Sequence, residues 1–288
     1  MRRLLLVIDG FLMGSADVVP GVSGGTVALV LGIYERLVHA IRTGASALSS
    51  FARGRFGEGW ERLRSVEWGF LIPLLTGVLL AIVSLAAVLE HLLEDQPRNV
   101  SAVFLGLVLG SIPIAWRLVG QWTTARYGVA TAVAVGFFAL LGLRGSEVTD
   151  PAPWMFLASG AIAIVAMILP GISGSFILLM LGMYEAVIAA VNDRDLAMIG
   201  LFAAAAIVSL AVFSTFLDRM LRDHHDLVMA VLIGLMAGSL RVLWPWPDGT
   251  ETARLAAPEN WGMPLVLGLA GFAAVTAIGW WAARREPH

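Results

Sequence analysis

Six apolar stretches are long enough to cross a bilayer as helices, which takes roughly 17–25 residues: 69–93, 100–116, 127–143, 196–217, 227–244 and 263–283. Two further apolar regions, 4–41 and 154–191, each run about 38 residues and are interrupted in the middle by polar and helix-breaking positions. At about 1.5 Å per residue, one uninterrupted helix of that length would reach roughly 57 Å, too far for a single span. Each is read as a helical hairpin that turns at its interruption.

The interruptions are copies of one another. Residues 20–35 read PGVSGGTVALVLGIYE and residues 170–185 read PGISGSFILLMLGMYE, identical at nine of sixteen positions. The repetition continues beyond this motif. IVSLA at 82–86 recurs at 207–211, and GLVLGS at 106–111 recurs as GLMAGS at 234–239. The chain therefore divides into 1–150 and 151–288, each a hairpin followed by three spans. The first half carries an additional basic, Gly/Ser-rich stretch at 42–66, expected as a cytoplasmic surface loop or an interfacial helix.

A hairpin returns to the side it entered from, so each half crosses the membrane an odd number of times and the second half is inverted. The arginines test this. With the N-terminus cytoplasmic, fourteen fall inside (2, 3, 36, 42, 53, 55, 62, 64, 117, 126, 219, 222, 284, 285) and five outside (98, 144, 194, 241, 254). That bias obeys the positive-inside rule. The expected fold is an all-α polytopic membrane protein with an inverted-topology repeat, both termini in the cytoplasm, and two re-entrant hairpins whose apices meet near the midplane.

Composition agrees. The chain of 288 residues is 58% hydrophobic, 14% charged, and has a mean hydropathy of +0.83. A soluble domain carries about 25% charged residues. The net charge of −2 leaves no basic face for nucleic acid, and the absence of Cys removes disulfides, thiolate metal sites and thiol nucleophiles. No small-residue cleavage site follows the basic start, so the first segment is expected to be retained.

Irregular backbone at membrane depth is tolerated where it is buried in protein or lines a polar cavity. Paired breaks in two halves point to a transporter's binding site. Pro20 and Pro170 stop the incoming helix, Gly21 and Gly171 permit the reversal, and Ser23 and Ser173 suit the N-cap of the returning helix. A helix N-terminus offers unsatisfied N–H groups and a positive dipole end, an anion site that suits phosphate. The expected phosphate donors are Ser23, Gly24, Gly25 and Thr26 with Ser173, Gly174 and Ser175. Two packing kinks are the plainer alternative.

Asp17 lies three residues before Pro20 and faces Met167 in the repeat alignment. An intramembrane carboxylate marks proton or cation coupling, or else caps local N–H groups. Asp9 is similar but nearer the interface. Glu35 and Glu185 follow Tyr34 and Tyr184, where interface anchoring or inter-repeat bonding competes with coupling or gating; the tyrosines are expected in the aromatic belt. Arg117 and Arg241 close the third elements and either reach a headgroup or are ordinary span-end arginines. The Gly106/Gly110 and Gly234/Gly238 pairs are small-xxx-small motifs for close helix packing.

GSADVVPGVSGGTVALVLGIYERL (14–37) with LPGISGSFILLMLGMYE (169–185) closely resembles the bacterial and archaeal membrane family known as domain of unknown function 368. The resemblance implies translocation of a polyprenyl phosphate, undecaprenyl phosphate above all, across the cytoplasmic membrane for reuse in envelope synthesis. The residues alone give an anion-binding inverted-repeat transporter. Partners are then the lipid substrate, membrane lipids and a coupling proton or cation.

Other classes fit less well. G-x-S-G recurs in intramembrane serine proteases, but a serine nucleophile needs a nearby base, and His39, His91, His224, His225 and His288 all fall near span ends or termini. The chain has no Lys, so no Walker-type phosphate loop exists. No catalytic residue, metal ligand or cofactor is assigned.

Overall fold

The computed structural model describes residues 2–18, 22–143, 148–247 and 255–284, in which every regular element is a helix. Pro20, Gly21, Arg144, Arg254, Arg285 and His288 lie outside the described residues. The first half contains α1 (Arg2–Asp17), α2 (Gly24–Val30), α3 (Tyr34–Ala52), α4 (Phe56–Ser65), α5 (Trp68–Asp95), α6 (Pro97–Arg117) and α7 (Thr124–Leu140). The second contains α8 (Pro153–Ile168), α9 (Gly174–Met180), α10 (Tyr184–Asn192), α11 (Leu196–Asp223), α12 (His225–Ser239) and α13 (Gly262–Ala283). The halves correspond element for element once α4 is set aside; α3 continues past the expected hairpin end at 41 to Ala52, so the basic 42–66 stretch is the last turns of α3 followed by α4.

Packing follows the same correspondence. α1 lies along α5 and α8 along α11, while α6 pairs with α13 and α7 with α12, exchanging partners between the halves. Small residues set the approach. A Cβ on Gly106 would sit 1.9 Å from the Gly268 carbonyl oxygen, and one on Gly234 would sit 2.6 Å from that of Ala130. Both glycine pairs thus serve close helix packing, as small residues do where lipid supplies no hydrophobic drive between helices. Large apolar side chains face outward, among them Val83 at 84% exposure and Val212 at 67%.

Residues 68–85 of α5 and the helices α6, α11 and α13 are long and apolar enough to cross a membrane. The spans expected at 127–143 and 227–244 are shorter than that: α7 has 17 residues and α12 has 15. At about 1.5 Å per residue they reach roughly 23–26 Å. α12 ends at Ser239 and residues 240–243 form a turn; the prolines of Trp244-Pro245-Trp246-Pro247 that follow keep a helix from resuming. Apolar residues beyond that end are buried in protein instead: Leu243 is fully enclosed.

The returning arm of each hairpin also differs from a single helix. α2 and α9 last only seven residues each, and both end at a left-handed glycine, Gly32 (φ 72°) and Gly182 (φ 67°). The N–H of Ile33 bonds to the Ala28 carbonyl and that of Gly32 to Leu29; Met183–Leu178 and Gly182–Leu179 repeat the pattern. This is the Schellman cap. It turns the chain by 111° between α9 and α10.

A buried carboxylate ties the halves together at one end. Asp218 on α11 meets Arg222 at 2.6 Å, Arg42 at 2.9 Å and His39 at 3.0 Å, fastening α3 to α11.

Candidate functional site

The two interruptions meet inside the fold. Ser23 caps α2, its hydroxyl oxygen accepting from the Gly25 N–H at 3.1 Å. The same hydroxyl reaches the carbonyls of Met167 (3.3 Å) and Leu169 (3.2 Å) at the end of α8. Thr26 completes the junction: its hydroxyl oxygen accepts from the Gly171 N–H at 2.8 Å. A Cβ on Gly25 would lie 2.8 Å from the Ile168 carbonyl oxygen, so glycine there lets the first loop press against the second. Gly171 has φ 85° and lies against the α12 backbone at Met236, where a side chain has neither conformation nor room.

The helix-terminus donors have different partners in the two copies. In the first, the Asp17 carboxylate accepts from the Gly24 N–H at 2.6 Å. Asp17 therefore caps local backbone, satisfying an orphan donor at a positive helix end. In the second, Met167 packs against Gly174 in the corresponding place. The hydroxyls of Ser173 and Ser175 bond to each other at 2.8 Å, and Ser173 makes no side-chain cap to α9. Ser23, Gly24, Gly25, Thr26, Ser173 and Gly174 are all buried.

Tyr34 is not in an interfacial belt. It is buried at 2% exposure and its hydroxyl donates to the Ile168 carbonyl at 3.2 Å. The α8 terminus thus has three successive carbonyls, 167–169, facing two hydroxyls of the first half: Tyr34 donates to Ile168, and the single Ser23 proton is shared between Met167 and Leu169. Nothing in the hydropathy marks that contact, because an amphipathic Tyr suits either setting. The Gly32 and Gly182 breaks were missed although both stand in the repeated motif; their identity at one register was the available signal.

The outlying residues stand apart from this junction. Glu35 is exposed and pairs with His225 at 2.9 Å, an inter-repeat contact. Glu185 is exposed near Asp150, Asp193 and Asp195. Arg117 is exposed at the end of α6. Arg241 lies with its guanidinium 4.9 Å over the Phe138 ring.

Bilayer-length apolar helices packed around two helix-breaking loops that meet inside the fold define a multi-pass helical membrane protein with an internal polar junction. The chain belongs to the VCA0040-like, undecaprenyl phosphate translocase-like family, which it matches over residues 13–260. It is 35% identical over 302 residues to a polyprenyl-phosphate transporter of Vibrio cholerae serotype O1 (strain ATCC 39315 / El Tor Inaba N16961), covering 96% of each chain. It is 31% identical over 293 residues to a polyprenyl-phosphate transporter of Staphylococcus aureus (strain NCTC 8325 / PS 47), covering 95% of each. No solved structure matches it.

Proposed function

We propose that this chain is a secondary transporter that moves undecaprenyl phosphate or a related polyprenyl phosphate across the cytoplasmic membrane, returning the lipid carrier for envelope synthesis. One observation carries the reading within the fold: the two interruptions are in direct contact, Ser23 and Thr26 at the start of α2 bonding to the backbone of Met167, Leu169 and Gly171 where α8 ends. The full-length likeness to two polyprenyl-phosphate transporters supplies the substrate class.

The halves are inverted repeats, with both termini cytoplasmic. Supporting this, arginines assigned by sequence to one side gather at one end: Arg42 and Arg222 share Asp218. Arg98, assigned to the other side, donates to the Pro247 carbonyl in the segment that follows Arg241. The pairing of α6 with α13 and α7 with α12 is what a pseudo-twofold axis between the halves requires.

The phosphate binds between the loops, taking its donors from Ser23, Gly24, Gly25, Thr26, Ser173, Gly174 and Ser175, with the prenyl tail left in lipid. A carboxylate and a phosphate compete for one N–H donor, so substrate reaching Gly24 displaces Asp17 or requires its protonation. That competition is the coupling step, and a proton is the coupling ion. The Ser23 and Thr26 cross-links hold the loops closed until the phosphate replaces them. Glu35 and Glu185 gate the two ends, while Arg117 and Arg241 receive the headgroup at opposite surfaces.

The test is leaflet-to-leaflet movement of undecaprenyl phosphate in liposomes containing the purified protein. Accelerated movement, with the lipid recovered chemically unchanged, supports a transporter. A rate equal to protein-free liposomes overturns it, and a modified lipid points to an enzyme.

A further inference from the structure

The helices that follow the two returning arms correspond in sequence but dock differently. Tyr34, Glu35 and Val38 on α3 correspond to Tyr184, Glu185 and Ile188 on α10, in the register of the repeated motif. α3 crosses to the other half and packs on α11, whereas α10 packs on the α11 of its own half. Val38 is 1% exposed and shares a core cluster with Leu217 and Leu221 of α11, while Ile188 is 41% exposed. Tyr34 donates across the halves to Ile168; the Tyr184 hydroxyl has no partner among the described residues. Glu35 reaches His225 of the other half, but Glu185 lines a cavity of about 540 Å³ with Asp150, Asp193 and Asp195 of its own half. The Tyr-Glu pair is the same in both copies, so its own chemistry does not set the difference. The docking of the helix does.

Charge fastens the helix that crosses. Arg42 and His39 of α3 approach the Asp218 carboxylate at 2.9 and 3.0 Å, and Arg222 of α11 itself holds it at 2.6 Å. Asp218 is buried, whereas the side chains of His39 and Arg42 are half and one-third exposed. A buried carboxylate stripped of its partners is costly. Lifting α3 away does not strand this one, because Arg222 stays with it and the separated cations return to water, where ion pairs are weak. The second copy lacks this clasp: the counterparts of His39 and Arg42 are Ala189 and Asn192.

We propose that α3 is a gate of the transporter and Asp218 its latch, the structure being the state closed at the Asp218 end. Lipid passage requires α3 to leave α11 while α10 makes the reciprocal crossing to α5. The inference rests on the transport and inverted-repeat readings above, because a pseudo-twofold axis gives two states that are images of each other, one with each helix crossed. Ala189 and Asn192 make the second state the weaker one, so the resting protein keeps α3 docked.

The chain has no Cys, so Val38→Cys and Ile188→Cys each introduce a single thiol at corresponding positions. Each variant is reconstituted at full length in phosphatidylethanolamine/phosphatidylglycerol liposomes. Its rate of labelling by N-ethylmaleimide is followed by mass spectrometry, beside leaflet transfer of undecaprenyl phosphate. Val38→Cys is expected to label slowly and Ile188→Cys quickly. Adding Asp218→Asn is expected to speed the first roughly tenfold, as loss of a charge-assisted bond does, and to slow the second. Arg42→Gln, at the more exposed partner, is expected to shift both the same way and serves where Asp218→Asn does not fold. Faster labelling at both positions means simple loosening and overturns the gate, as do rates unchanged by either substitution, even when the wild type transfers the lipid. A wild type that transfers nothing overturns the transport reading and the gate with it.

Discussion

The Asp17 carboxylate accepts a 2.6 Å hydrogen bond from the Gly24 N–H, at the helix terminus where the proposed substrate phosphate binds. The second repeat has Met167 in its place. One terminus is thus covered by the protein's own anion and the other by a thioether, which makes the two halves unequal where they meet. If phosphate and carboxylate exchange at that donor, transport is tied to the charge of one side chain.

Asp17→Asn separates charge from capping. The amide oxygen still accepts from Gly24, so the folded protein is expected to persist, while leaflet transfer loses its response to an imposed pH gradient. Asp17→Leu removes the acceptor as well and is expected to lower stability by about 0.5–2 kcal/mol. Transfer rates with and without the gradient, alongside thermal unfolding, check both; an unchanged gradient response in Asp17→Asn would remove Asp17 from the coupling step.

Thr26→Val keeps the shape of the side chain and deletes the oxygen that accepts from Gly171. A buried donor left unmatched costs about 1–3 kcal/mol. The melting temperature in detergent is expected to fall accordingly, whereas Thr26→Ser, which restores the oxygen, is expected to recover most of the loss.

Gly32 and Gly182 occupy left-handed backbone at φ 72° and 67°. An alanine there costs about 1–2 kcal/mol. Gly32→Ala and Gly182→Ala are each expected to destabilise by that amount, and since the sites are in separate repeats the double variant is expected to show the sum. Denaturation midpoints of the three variants decide this.

Asp226, at the start of α12, accepts from the Gly120 N–H at 2.9 Å and the Gln121 N–H at 3.2 Å and pairs with Arg126 at 2.8 Å. The Gly120 bond foremost, with His225, Gln121 and Arg126, holds its carboxyl below the ordinary value of 3.8, although partial burial opposes this. A depressed carboxylate contributes stability above its unfolded value and loses it as pH falls through its folded one. The 118–123 turn is therefore expected to stay docked at neutral pH and to loosen only below the ordinary carboxylate range. Hydrogen exchange at Gly120 and Gln121 should accelerate there, and Asp226→Asn should flatten the dependence.

Much of this architecture was legible in residue order. The PGxSG copies located the junction, Gly106 and Gly234 located close helix contacts, and 42–66 contained the helix α4. The rest depended on contacts that order does not display. Leu243 reads as lipid-spanning because hydropathy cannot separate a buried turn from a span. Gly32 reads as helix interior because its φ leaves no trace in an apolar run. Tyr34 finds its acceptor 134 positions away. Asp17 reads equally as a coupling group or a cap, since the bend returning Gly24 to it is made by the loop.

The central claim is that the two loops form one phosphate site. It is tested most directly by comparing leaflet transfer of undecaprenyl phosphate by wild type and by Ser23→Ala/Ser173→Ala in liposomes, using only folded, monodisperse protein. The double variant is expected to transfer markedly more slowly than wild type. Transfer at the wild-type rate would contradict the assignment.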